Sequence, residues 1–82
     1  MRIPRDVSGA DLINALRLLG YEPTRQSGSH VRLTTQVLGE HHITIPRHES
    51  LRIGTLSGIL NDVAVHLRLE KAELIRRVFG KK

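Results

Sequence analysis

Gln26-Ser27-Gly28-Ser29-His30-Val31-Arg32-Leu33-Thr34 is the stretch whose reading decides the fold. Gly28 between two serines makes a tight turn. From His30 the side chains alternate, with His30, Arg32 and Thr34 on one face and Val31 and Leu33 on the other. A histidine therefore opens a strand on its polar face, beside an arginine. His42-Ile43-Thr44-Ile45-Pro46-Arg47-His48 alternates in the same way. Ile43 and Ile45 point inward, and His42 and Thr44 point outward. Residues 36–40, with Gly39, close a hairpin between the two strands. With Thr35 opposite His41, Val31 faces Ile45, Arg32 faces Thr44 and His30 lies near Pro46. A one-residue slip would expose the isoleucines, so the alternation selects this shared polar face.

Working outward, Val7-Ser8-Gly9-Ala10-Asp11-Leu12 starts a helix. Ser8 is the N-cap, Asp11 the capping-box acid, and Val7 and Leu12 the staple pair. Leu12, Ile13, Leu16 and Leu19 continue at helical spacing, and Gly20 stops the helix, which spans about 8–19. Tyr21 to Gln26 forms a weaker strand. Pro23 has no ladder donor, so this strand is an edge or is bulged. Pro46 ends the third strand, and residues 47–52 form a polar loop. A helix begins near Gly54 or Thr55, with Leu56, Ile59, Leu60 and Val63 as its apolar stripe. Gly58 on that helix is expected to permit close packing. A last helix runs from about Leu69 to Phe79, with Leu74, Ile75 and Val78 inward and Glu73 and Arg77 four apart. His66 reads as a surface residue between the helices. Gly80-Lys81-Lys82 reads as a cap and frayed tail.

The order is helix, three strands, helix, short helix, an α+β chain. Three antiparallel strands with one apolar face need a cover, which two helices supply. The other face stays open and carries His30, Arg32, Thr34, His42 and Thr44, with Arg47 and His48 beyond it.

Composition narrows the functions. Eighty-two residues make a single domain, 1–82, with one small core. Tyr21 and Phe79 are the only aromatic residues, so the core is expected to be aliphatic. No cysteine is present, which excludes disulfides and thiolate metal sites and fits a reducing cytoplasm. No apolar run reaches membrane-spanning length, and the start lacks an apolar signal core. The net charge is +5, and ten of the thirteen basic residues are arginine. Arginine offers a planar fork that matches phosphate, so a polyanionic partner, usually nucleic acid, is favoured. The plainer alternative is a basic surface with no special partner.

At this point the motifs resemble a known family. Arg25-Gln26-Ser27-Gly28-Ser29-His30, then Ile43-Thr44-Ile45-Pro46-Arg47-His48, then Gly54-Thr55-Leu56 with Ile59-Leu60, occur in order within one small basic chain. With Ser8-Gly9 and Leu19-Gly20-Tyr21 they resemble the HicA (YcfA-like) family of bacterial and archaeal toxins over about residues 7–66. The resemblance implies a double-stranded-RNA-binding-domain-like fold. It also implies an mRNA interferase, an endoribonuclease held in check by a HicB-type antitoxin in a hetero-oligomer. His30 occupies the position of the family's catalytic histidine. Tyr21 stands where the family usually has phenylalanine, and the tail after Val65 is longer and more basic than the family pattern.

The residues suit that chemistry. RNA carries its own nucleophile in the 2′-hydroxyl, so an enzyme need only move protons and stabilise charge. A histidine titrates near neutrality and can be the base or the acid. Arg32 or Arg47 can stabilise the charge that builds on phosphorus. Arg25, Arg32, Arg47 and Arg52 are candidates for phosphate contact, with Ser29 and Thr44 as further RNA contacts. His48 is a candidate second proton-transfer group. The spacing of His41, His42 and His48 matches no zinc signature, so no metal or other cofactor is expected. With so few aromatic side chains, base stacking is limited. Two rivals remain. One is a non-catalytic RNA-binding module of the same fold. The other is a DNA-binding helix pair, residues 55–64 and 70–79, relying on Lys71, Arg76 and Arg77.

Overall fold

The structure, a computed structural model, describes residues 3–80. The Lys81-Lys82 tail and the first two residues lie outside them. The order is α1 (Gly9–Arg17), β1 (Glu22–Ser27), β2 (His30–Thr35), β3 (His41–Pro46), α2 (Ile53–Leu67) and α3 (Lys71–Phe79). This is the expected α+β layout. No helix among the described residues is long and apolar enough to cross a membrane.

Helix α1 starts as its sequence dictates. Ser8 Oγ accepts from the Asp11 amide at 2.9 Å, and the Ser8 amide donates back to the Asp11 carboxylate at 3.2 Å. Both arms of the capping box are closed. Regular helix stops at Arg17, but the last turn winds on to Leu19. Gly20 then takes a φ of +101°, its amide returns to Arg17 O, and the Tyr21 amide reaches Leu16 O. This double return is the Schellman stop that a glycine allows without a Cβ penalty.

The sheet has strand order β1-β2-β3 and is antiparallel throughout. The β2–β3 register is the one expected, from Thr35 opposite His41 to His30 opposite Pro46. Between β1 and β2, Gly28 alone of the two turn residues has positive φ (+58°), the pattern of a type II′ hairpin. Strand β1 is an exposed edge, and its register slips between Pro23 and Arg25. Thr24 is the extra residue of that bulge.

Val31, Leu33, Ile43 and Ile45 lie under the helices with Leu12, Leu16, Leu56, Leu60 and Val63. Helix α1 packs on β1 and β3, α2 packs on β3, and α3 closes against α1 and α2 through Leu74 and Ile75. With Leu74 and Ile75 turned inward as expected, the third helix seals the far side of the core.

Four expectations need correction. Gly58 permits no close approach, since a Cβ there would meet open space. The close approach is at Gly9, where a Cβ would collide with Pro46 O and come within 2.7 Å of Arg47 Cα. Gly9→Ala must therefore separate α1 from the end of β3. It should cost about 1–3 kcal/mol in denaturant unfolding, the range for overpacking.

The polar loop is not wholly polar. Leu51 is buried, and its amide donates to Val7 O at 2.8 Å. The core is not wholly aliphatic either. Tyr21 is fully buried, and its hydroxyl is 2.8 Å from His41 Nδ1. His66 is not between helices, because α2 runs on to Leu67 and closes at Arg68 with φ +59°. Its Nε2 lies 2.8 Å from Val37 O and 3.1 Å from Gly39 O, so its N–H clasps the β2–β3 loop. The ring also stacks on His41 at 4.3 Å.

Burial, helped by Asp62, pushes the Tyr21 phenol up from 10.0 to about 12. The unfolded chain then loses this proton first, so folding stability falls as pH rises from about 10 towards 12. Wild type should lose on the order of 2 kcal/mol across that window relative to Tyr21→Phe. Chemical unfolding of both proteins at pH 9 and pH 11.5 checks it, and equal losses would contradict it.

Candidate nucleic-acid interface

The face of the sheet away from the helices is polar and open. His30 stands exposed at the mouth of β2, directly after the Gly28-Ser29 turn. Arg32 lies half-buried on the same face, two residues on, or about 6.6 Å along the strand. Thr44 is exposed opposite Arg32 on β3.

Arg25 joins this face only because of the bulge. Strict alternation from Glu22, opposite Thr34, would turn Arg25 away. The extra residue at Thr24 re-aims Arg25 so that it pairs with Arg32. Thr24, Arg25, Arg32, Thr34, Glu40 and His42 together line a shallow hollow on the open face. Among the described residues neither Arg25 nor Arg32 has an ion-pair partner. Two like charges opposite each other on neighbouring strands repel, and a bound anion would relieve that.

The structure does not bring all the expected residues together. Arg47 lies on the helix side, lining a groove with Ala10, Ile13, Asn14, Pro23, Gln26 and Val31. The cause is the same alternation carried one step further. The Arg47 amide donates to Ser29 O at 2.6 Å, so the ladder extends past Pro46 and Arg47 falls on the inward side with Ile45. Ser29 is exposed in the turn. His48 is exposed in the following loop, where its carbonyl accepts from the Gly9 amide at 2.9 Å. Arg52 is the N-cap residue of α2.

His41 and His42 also face different ways. His41 turns towards Tyr21 and Asp62, while His42 lies on the open face with Thr34 and Glu40. Among the described residues no three histidine, cysteine, aspartate or glutamate side chains converge as metal ligands would. Glu40 and Thr24 were not singled out from the sequence. Pro23, which forces the bulge, was the available signal for Thr24.

The basic residues of α3 are occupied. Arg76 and Arg77 both bind the Glu73 carboxylate, which they hold below its usual range. Lys71 Nζ donates to Ser57 Oγ.

Comparison with known families decides the relationship. A family model described as the HicA toxin of bacterial toxin-antitoxin systems matches residues 9–65, well over half of the chain. The chain belongs to the HicA toxin family. The match starts at the close-packed glycine of α1 and ends within α2, so it takes in the whole sheet and the open face. Helix α3 lies beyond the HicA match, consistent with its place as an added seal on the core. A HicA toxin is one half of a toxin–antitoxin pair, so family membership implies an antitoxin partner. No curated protein and no solved structure matches the chain.

Proposed function

We propose that this chain is an mRNA interferase, an endoribonuclease that cuts RNA with His30 as its proton-transfer residue. The observation that carries the reading is the exposed histidine at the strand mouth, with Arg32 next along the same open face. Family membership supports it.

In the proposed reaction a phosphodiester lies across the Gly28-Ser29 turn. His30 takes the proton from the ribose 2′-hydroxyl as that oxygen attacks phosphorus. Arg32 stabilises the added negative charge on the phosphoryl oxygens. The 5′-oxygen then leaves with a proton, and exposed His48 is the candidate donor. Arg25, Ser29 and Thr44 hold the strand on the open face. Arg47 can reach RNA only around the edge of the sheet, so its contribution is to affinity. No metal is needed, because charge and proton transfer are both supplied by side chains. A HicB-type antitoxin would neutralise the toxin in a hetero-oligomer by covering this face, in the cytoplasm. The paired cations of α3 weigh against the DNA-binding helix pair.

Salt dependence tests where RNA lies. The log–log slope of affinity for single-stranded RNA should be near −0.7 for each phosphate neutralised. Arg32→Ala should make it shallower by about one such contact. The triple variant Lys71→Ala, Arg76→Ala, Arg77→Ala should leave it nearly unchanged. The reverse pattern would move RNA to α3 and reject the reading.

A further inference from the structure

The open-face hollow holds a set of contacts that proton transfer at His30 does not use. Glu40 Oε2 lies 3.1 Å from His42 Nε2, His42 Nδ1 lies 2.8 Å from Thr34 Oγ1, and Thr34 Oγ1 lies 2.9 Å from Thr24 Oγ1. The line crosses all three strands. The Glu40–His42 approach is an ion-pair contact, with opposite charges only when the imidazole is protonated. His42 Nδ1 and the Thr34 hydroxyl share a hydrogen bond, in which the hydroxyl donates to a neutral ring and accepts from a charged one. Thr24 donates to Thr34 Oγ1 or to Arg32 O, 3.3 Å away.

The outcome is a carboxylate set on a basic face. Glu40 is exposed, and its carboxylate lies against an imidazole that is hydrogen-bonded to Thr34, itself bonded to Thr24. One carboxylate oxygen, Oε1, has no partner among the described residues. Arg25 and Arg32 line the same hollow with no partners of their own. Arg25 lies one strand beyond Arg32, which is itself about 6.6 Å along β2 from His30, so an RNA strand crossing from His30 over Arg32 brings its next phosphate towards Arg25.

We infer that this hollow is a nucleobase-reading subsite, with Arg32 on the scissile phosphate, Arg25 on the phosphate next to it and Glu40 on the base of that next nucleotide. The inference rests on the RNA reading above and extends it to specificity. A carboxylate accepts two hydrogen bonds side by side. Guanine alone among the RNA bases offers two adjacent donors, the ring N1–H and the exocyclic amino group. Adenine and cytosine offer an amino group beside a bare ring nitrogen, which repels the second carboxylate oxygen. Uracil offers a single N–H between two carbonyls. The subsite therefore favours guanine. Matched hydrogen bonding of this kind is worth about 1–3 kcal/mol of discrimination between bases, or roughly 5- to 150-fold.

The test uses the full chain carrying His30→Ala, which stops cutting, and the ribonucleotides UUGUU, UUAUU, UUCUU and UUUUU. UUGUU should bind about tenfold or more tighter than the other three. Glu40→Gln keeps the shape but turns an amide donor towards guanine's donors, so the preference should collapse towards one. His42→Ala should weaken it part-way by releasing Glu40. Equal affinity for all four, or a preference that survives Glu40→Gln, would overturn the inference. A chain that prefers UUGUU but in its unsubstituted form cuts no RNA keeps the subsite and loses the nuclease. A chain that cuts RNA while binding all four alike loses the subsite alone.

Discussion

His30→Ala should leave the chain folded and able to bind RNA, while cleavage falls about 100-fold or more. The structural half rests on placement. His30 is exposed, carries none of the buried core, and makes no side-chain hydrogen bond among the described residues. Surface substitutions of this kind usually change stability by less than about 1 kcal/mol. Binding should persist because Arg25 and Arg32 stay on the face and phosphate contacts supply most of the affinity. The catalytic half rests on the lack of a substitute. His42 shares the face, but it pairs with Glu40 and Thr34, opposite Thr34 and therefore four residues further along β2 from His30. That is about 13 Å away, too far to reach the same phosphate. Thermal unfolding, RNA affinity and cleavage should be measured on this one variant. An unfolded variant would make His30 structural, and unimpaired cleavage would remove it from the mechanism.

Leu60→Ala should cost about 2–5 kcal/mol. Leu60 lies in the middle of α2 and is fully buried with Leu33, Ile43 and Leu56. An 82-residue chain has little reserve. Total stability for a domain is about 5–15 kcal/mol, so this loss is a large share of it. Relaxation into the cavity is restricted, because the sheet is fixed on one side and α3 on the other. Denaturant unfolding should show a lower midpoint with an unchanged slope. A loss below about 1 kcal/mol would mean that α2 is not clamped between sheet and α3 as described.

The β2–β3 register was legible because two rules agreed on it. Alternation assigned the faces of Val31, Leu33, Ile43 and Ile45, and the loop through Gly39 set the pairing. The strand ends at Pro46 as expected, and Arg47 is misplaced only because the alternation does not stop with it. Its amide still bonds Ser29 O, so alternation governs one residue more. Arg25 reaches the open face through a bulge, and no local pattern says on which side an extra residue will emerge. Gly9 and Gly58 look alike in sequence, and only the packed neighbour distinguishes them. The burial of Tyr21 depended on a hydrogen-bond partner twenty residues away in the chain, which spacing alone does not reveal. His30 and Arg32 could be found because they lie on a regular strand. Glu40 could not, since its proposed role depends on contacts through His42 and Thr34.

The most direct measurement takes one end-labelled RNA, the purified chain and an excess of metal chelator, and reads the ends of the fragments. Attack by the 2′-hydroxyl leaves a 2′,3′-cyclic phosphate or its opened product on one fragment and a free 5′-hydroxyl on the other. The wild type should cut under chelator and leave 5′-hydroxyl ends, and His30→Ala should not cut. Cutting that begins only when a divalent metal is restored, or that leaves 5′-phosphate ends, would contradict the proposed mechanism.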